Sequence, residues 1–292
     1  QIESKILGKI SSIDFYKNNN YQYLFNTSSQ LYLIDRNGAN VEGFPKLLPN
    51  TTTIGHALFD YGEDRKYRII IVGDDNNIYN LHKTGKINDG WKYIKDSNRI
   101  KQSPRYFKVG TNDYILAERN NSSTQLLERI GSKRVSFEEG IQFNGNPIQI
   151  DKQGVLYAIT SEGKLWTGTL DENSSQLSLP NLTSNSLFAI QEKGSEKQFI
   201  YTNKKSVFIV TAGFVEVYSF EVANNITNLV IDNKGLVITT ANELYLWNAN
   251  EITEGFPIAT DGYFNIADID NNGKTNILNT KNGFIYNYEL AN

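Results

Sequence analysis

The sequence predicts an all-β fold, a seven-bladed β-propeller of four-stranded antiparallel blades. Three observations lead there. Aromatic and β-branched clusters alternate with Asn- and Gly-rich turns along all 292 residues, the composition of short strands joined by tight turns. The chain repeats itself: Ile150-Asp151-x-x-Gly154 returns as Ile231-Asp232-x-x-Gly235, 81 residues later, and LYLIDRNGANVEGFP at 31–45 returns as LYLWNANEITEGFP at 244–257. No stretch carries a helical period of useful length.

The repeat sets the unit. The apolar or aromatic pair that opens a third strand falls at Leu31, Ile78, Leu126, Leu165, Val207, Leu244 and Ile285, in steps of 37 to 48 residues. Units of about 40 residues with four strands each are a propeller signature. The predicted blades are 10–50, 54–98, 102–143, 146–181, 185–223, 226–258 and 262–292, in one domain over 1–292. Each has an inner strand (ISSIDF in the first, FNIADI in the last), a second strand (YQYLFN, YRIIIVG, YILAE, VLYAIT, QFIYT, LVITT, TNILNT), and a third strand after a short turn. A fourth is visible as FVEVYSF at 214–220. Asn37-Gly38, Asn272-Gly273 and Asn282-Gly283 supply the positive φ of tight turns. The last unit shows three strands before the chain ends, so residues 1–9 are expected to add its outer strand and close the ring.

Composition narrows function. Formal net charge is −3, and the basic pairs Lys133-Arg134 and Lys204-Lys205 are short, which excludes a nucleic-acid stripe. No apolar run approaches the roughly 20 residues of a membrane span. With no Cys, there are no disulfides, thiolate metal sites or Cys nucleophiles. The two histidines, His56 and His82, read as surface or strand-end residues, and their spacing proposes no nucleophile–base pair. Glu63-Asp64 and Glu138-Glu139 read as solvated turn acids rather than a glycosidase pair. These readings predict a chain that is not an enzyme.

Two signatures together carry a family resemblance. One is Asp268-Ile-Asp270-Asn-Asn272-Gly273-Lys-Thr-Asn276 before a strand; the other is an aromatic-rich strand, a turn and Gly-Phe-Pro. The chain resembles the FG-GAP or VCBS-type repeats of extracytoplasmic propellers, integrin α-subunits and bacterial surface proteins among them. The match is sharp in units one, two, six and seven. The resemblance implies an extracytoplasmic protein (periplasmic, cell-surface or secreted), calcium in some blade hairpins, and adhesion, protein binding or sugar binding.

The residues allow a check on calcium. Asp268, Asp270, Asn272 and Asn276 place side-chain oxygens at loop positions 1, 3, 5 and 9, and the Lys274 carbonyl falls at position 7. Position 12 is Asn279, not a bidentate acid, so affinity would be modest. The alternative is a metal-free turn in which Asp and Asn bond their own backbone. The equivalent loops at Asp14 and Asp60 have Tyr16 and Gly62 at position 3, with Lys17 and Arg65 where an ion would sit, and are expected to be metal-free.

The exit phrase recurs as Gly38-x4-Gly43-Phe44, Gly85-x4-Gly90-Trp91 and Asn250-x4-Gly255-Phe256. Trp91 is either a sugar platform or a repeat-encoded plug between blades, and Phe in the same slot twice favours the plug. Trp166 and Trp247 read as inter-blade packing. The predicted function is a non-catalytic extracytoplasmic scaffold, a monomer that binds a protein partner through one face. The alternatives are a carbohydrate-binding propeller and, after that, an enzyme at the central channel.

Overall fold

The computed structural model describes residue 2 and residues 4–290, apart from 138–139, 233–234, 249 and 268–271, and the backbone alone at Lys193. Among the described residues the strands form seven antiparallel sheets and no helix. The fold is the seven-bladed, all-β propeller class. No helix is long and apolar enough to cross a membrane. The chain divides into two compact units.

The first unit comprises Gln1–Gln142, Lys152–Gly154 and Leu170–Asn173. Its first sheet is Leu7–Ile13, Gln22–Asn26, Gln30–Ile34 and Lys46–Leu47, in that order. The second has three strands, Ala57–Phe59, Arg68–Val72 and Ile78–His82, with a single bridge from Leu81 to Ile87 beyond its outer edge. The third is Arg105–Val109, Asn112–Glu118, Thr124–Leu127 and Lys133–Phe137.

The second sheet explains why its sequence is apolar without alternation. Ile69 and Ile71 pack with Leu31, Leu33 and Leu81 on one side. Ile70 and Val72 pack with Ile115, Ala117 and Leu127 on the other. A strand buried on both faces loses the in–out pattern of a half-exposed one. Each such side chain contributes about 1.5–3 kcal/mol of transfer free energy. Trp91 follows the plug reading: it packs against the second and third sheets' cluster, its indole N–H donates to the Ile78 carbonyl at 2.7 Å, and a Cβ on Gly131 would stand 2.8 Å from its ring.

The second unit comprises Phe143–Asp151, Val155–Thr169 and Ser174–Asn292. The fourth sheet is Gln149–Ile150, Leu156–Ile159, Leu165–Gly168 and Ser174–Leu177. The fifth is Phe188–Lys193, Glu196–Asn203, Ser206–Thr211 and Glu216–Glu221. The sixth is Asn228–Asp232, Gly235–Thr239, Glu243–Asn248 and Glu251–Ile252, with Ile258–Ala259 on the third strand's other end. The last is Phe264–Ala267, Asn276–Lys281 and Phe284–Glu289. The both-faces pattern recurs: Leu236, Ile238, Tyr245 and Trp247 face the fifth sheet, and Val237, Leu244 and Leu246 face the last. Trp166 is fully buried and packs on Phe143. The Asn282-Gly283 turn has φ of 52° and 77°, the two positive values that the dipeptide predicts.

One expectation is corrected here. Residues 7–9 do not pair with the last sheet; they begin the first strand of the first, where Leu7 stands opposite Asn26. The physical anchor is Gly8, with a φ of 64°, whose Cα packs so closely on Gly55 that a Cβ would lie 2.8 Å from it. Gln1 and Glu3 lie outside the described residues.

Candidate functional site

The corner loops at Asp14 and Asp60 share one geometry. The carboxylate of Asp14 accepts the N–H groups of Asn18 and Asn19 at 2.9 and 3.0 Å, and that of Asp60 accepts those of Asp64 and Arg65 at 3.2 and 2.9 Å. Positive φ falls at matched places, Lys17 and Asn19 in one loop and Glu63 and Arg65 in the other. The two loops latch onto each other: Arg65 Nη1 reaches Asp14 Oδ2 at 2.5 Å, and Lys17 Nζ donates to the Asp64 carbonyl at 2.9 Å. Side-chain cations stand where an ion would. Burial pushes the Asp14 carboxyl up, but the Asn19 and Asn18 N–H groups and the Arg65 charge outweigh it and hold it below the usual carboxylate range.

The loop predicted for calcium is described only in its second half. Asp268 and Asp270 lie outside the described residues. Gly273 has the expected positive φ, 82°. Asn272 Oδ1 accepts the Lys274 N–H at 2.8 Å, and Asn272 Nδ2 and Lys274 Nζ both donate to Glu289, at 2.8 and 2.5 Å. Asn276 is buried on the strand, opposite Ala267 and Glu289. This half is organised as an Asx turn with an ion pair to Glu289, bonds that leave the Lys274 carbonyl out. No cluster of three or more His, Asp or Glu suited to a metal occurs among the described residues.

His56 is not a surface residue. It is 1% exposed. Its Nε2 meets Ser11 Oγ at 2.9 Å, its Nδ1 stands 3.3 Å from Asn26 Oδ1, and its backbone N–H donates to the same oxygen at 2.8 Å. Burial, with Lys9 nearby, lowers its pKa to about 4, so the ring is neutral at pH 7. Spacing could not reveal this set, because Ser11, Asn26 and His56 come from three separate segments; the one sequence signal was a His placed just before an apolar strand. The arrangement resembles a nucleophile–base–orienter chain. Its presentation does not. The neighbouring cavity, about 560 Å³, is lined by Lys9, His56, Asp60, Ser103, Arg105 and Tyr106 among others, but not by Ser11. The hydroxyl that would attack is turned into the sheet.

Beside this cavity, Tyr106 OH donates to Asp113 at 2.7 Å and Arg129 lies over the Tyr61 ring at 4.5 Å. Burial, reinforced by the Asp113 hydrogen bond, pushes the Tyr106 hydroxyl up to about 12. It therefore acts as a donor, not a base. The remaining predicted groups are dispersed. Asp64 pairs with Lys66 at the surface, Arg134 with Glu128 and Lys205 with Glu221; His82 ends its strand half-buried, and Glu138-Glu139 lie outside the described residues.

In the last sheet the outer strand Phe284–Glu289 has, among the described residues, a neighbour on one edge only, as the outer strands of the other sheets do, and its Phe284, Ile285 and Tyr286 are 66%, 74% and 42% exposed. Open strand edges of this kind are pairing templates.

The sheets together define the β-propeller class. No family model and no curated relative matches the chain. Solved structures do. The chain is similar to BamB from Moraxella catarrhalis (14% identity, covering 95% of this chain and 83% of that one, TM-score 0.60). It is also similar to Sqt1 from Saccharomyces cerevisiae (11% identity, 93% and 81%, TM-score 0.62), and to BBS1N in its complex with ARL6DN (10% identity, 94% and 89%, TM-score 0.59). At such identities the likeness is one of fold.

Proposed function

We propose that this chain is a non-catalytic, extracytoplasmic binding scaffold of the FG-GAP/VCBS repeat kind, and that it docks a protein partner. The observation that carries the reading is the open outer strand of the last sheet. Among the described residues the strand Phe284–Glu289 has a neighbour on one edge only, so alternate backbone groups face outward beside three exposed large side chains. Strand addition would satisfy the backbone, and the alternate side chains would give specificity. BBS1N, solved with ARL6DN, is a protein of similar fold that docks another protein. The non-catalytic part rests on Ser11, which is bonded to His56 yet does not border the cavity.

The experiment is cross-linking in the native source to identify a partner, followed by reconstitution with purified proteins. The partner is expected to bind the wild type and to lose at least about tenfold in affinity to a Phe284→Lys/Ile285→Lys double variant. The variant keeps its melting temperature, because both side chains are exposed. Undiminished binding to the double variant overturns the docking site.

A further inference from the structure

We propose that the crevice between the fifth and sixth sheets, both in the second unit, binds the ring of a neutral sugar. Its floor is the apolar closure of the two sheets: Ile200 and Ile209 from one, Leu236 and Trp247 from the other. One step outward along the same strand face the side chains become polar. Gln191 and Gln198 are directly opposite each other in the ladder, and Glu196 follows two residues before Gln198. The enclosed volume is about 220 Å³.

The two glutamines here are unusually idle. Buried and half-buried glutamines elsewhere are engaged: Gln22 bonds Phe15 N–H and the Asn20 carbonyl, Gln102 bonds Glu118, and Gln125 accepts from Arg119. The Gln191 and Gln198 amides make no hydrogen bond to a described residue. Nor does the indole N–H of Trp247, although the residue is only 8% exposed; that of Trp91 bonds the Ile78 carbonyl. Phe220 stacks on the Trp247 ring at 3.6 Å and 3°, which fixes the indole in place.

The chemistry selects the ligand. Two amides and a carboxylate offer donors and acceptors side by side, next to the Trp247 ring, which is what adjacent hydroxyls need, since each hydroxyl both donates and accepts. An anion is disfavoured: Glu196 lines the crevice, and Lys197, on the opposite strand face, is committed to Asp151 at 2.8 Å. The volume lies below the roughly 300–1,000 Å³ of pockets for larger ligands, so one ring fills it. The apolar floor suits the C–H face of a pyranose. Free sugar and the terminal residue of a glycan share this chemistry.

The test uses the whole chain labelled with ¹⁵N at indole nitrogen. Three tryptophan signals are expected, and Trp247→Phe assigns the relevant one. Free neutral hexoses, their methyl glycosides and neutral oligosaccharides are titrated in turn. At least one is expected to move the Trp247 signal saturably, with the Trp91 and Trp166 signals unmoved. Gln191→Ala and Gln198→Ala should each weaken that binding by about tenfold, the loss of one buried hydrogen bond, at unchanged melting temperature. Binding of free hexoses alone assigns the site to free sugar; binding of methyl glycosides as well assigns it to a glycan terminus. The proposal is overturned if no neutral sugar moves the signal saturably up to ~100 mM, far above the millimolar range of weak specific binding, or if both glutamine variants bind undiminished. Its failure is independent of partner docking at Phe284 and Ile285, which is read on a different sheet by a different assay.

Discussion

Phe44 and Phe256 end the same phrase in two different settings. The local geometry is alike. Gly43 and Gly255 have φ of 80° and 85°, Phe44 N–H bonds the Val41 carbonyl as Phe256 N–H bonds that of Thr253, and Leu31 opposes Lys46 as Leu244 opposes Ile258. Both phrases lead to a fully buried threonine, Thr52 or Thr260, whose Oγ1 accepts the N–H two residues on. Four residues beyond that threonine the copies part: His56 is buried and bonded, whereas Phe264 is only partly buried. Phe44 is buried against Ile69, Ile71 and Leu81 of the second sheet. Phe256 borders a cavity of about 450 Å³ with Ile258, Tyr288 and Leu290. Similar local sequence makes similar local backbone. What covers it depends on the next sheet along the chain.

The widest gap between the two copies should appear in stability. Phe44→Ala should cost about 3–5 kcal/mol, because it leaves a cavity in a closed cluster, and Phe256→Ala about half of that, because its site is already open on one side. Urea unfolding of the two variants measures this, and equal losses would erase the distinction.

The next effect is on pH dependence and belongs to the first copy alone. The folded pKa of His56 is depressed, to about 4 from the ordinary 6.5. Below about pH 6.5 the unfolded chain takes up a proton that the native state refuses. The stability held above pH 6.5 therefore falls as pH drops towards 4, by on the order of 3 kcal/mol. His56→Gln should flatten the curve in that window. Asp14, also depressed, acts lower: its contribution is present above the ordinary carboxylate value and is lost as pH falls through the folded value. A slope between pH 4 and 6.5 that survives His56→Gln would place the titrating group elsewhere.

The corner loops sharpen the same contrast. Arg65→Ala leaves the buried Asp14 carboxylate without its cation and should lower the melting temperature by several degrees, since removing one partner of a buried pair is costly. Lys274→Ala removes a half-exposed pair with Glu289 and should change stability by less than about 1 kcal/mol. Similar shifts in both variants would mean that the latch contributes nothing. The smallest expected effect is that of calcium. With two acids in the loop and Asn279 rather than an acid at position 12, melting temperatures in millimolar calcium and in chelator should nearly coincide. A calcium-dependent rise abolished by Asp268→Asn or Asp270→Asn would instead make those two residues ligands.

Much of this was legible in the chain. The repeat of Leu31, Ile78, Leu126 and their successors gave the sheets in order, because a strand buried on both faces must be written as an apolar run between turns, and the turns need Gly and Asn. Lys17 and Arg65 marked their loops as cation-filled, because a positive side chain close in sequence to a conserved-geometry loop has few other places to go. The Ser11–His56–Asn26 set and the Gln191–Gln198–Trp247 crevice were not legible. Their members are 7 to 56 residues apart and meet only through ladder register and sheet packing. The N-terminal strand was misplaced for a related reason. Nothing local names its partner; the ladder that sets Leu7 opposite Asn26 and Ile13 opposite Gln22 places it in the first sheet.

By itself, then, the sequence determined the strands, the turns between them and the period of the repeat, since these depend on φ preferences and on burial alternating over a few residues. The tertiary structure decided which copies of a repeated phrase are sealed and which polar groups find partners. Those outcomes depend on side chains contributed from other sheets, and local preference carries no information about them.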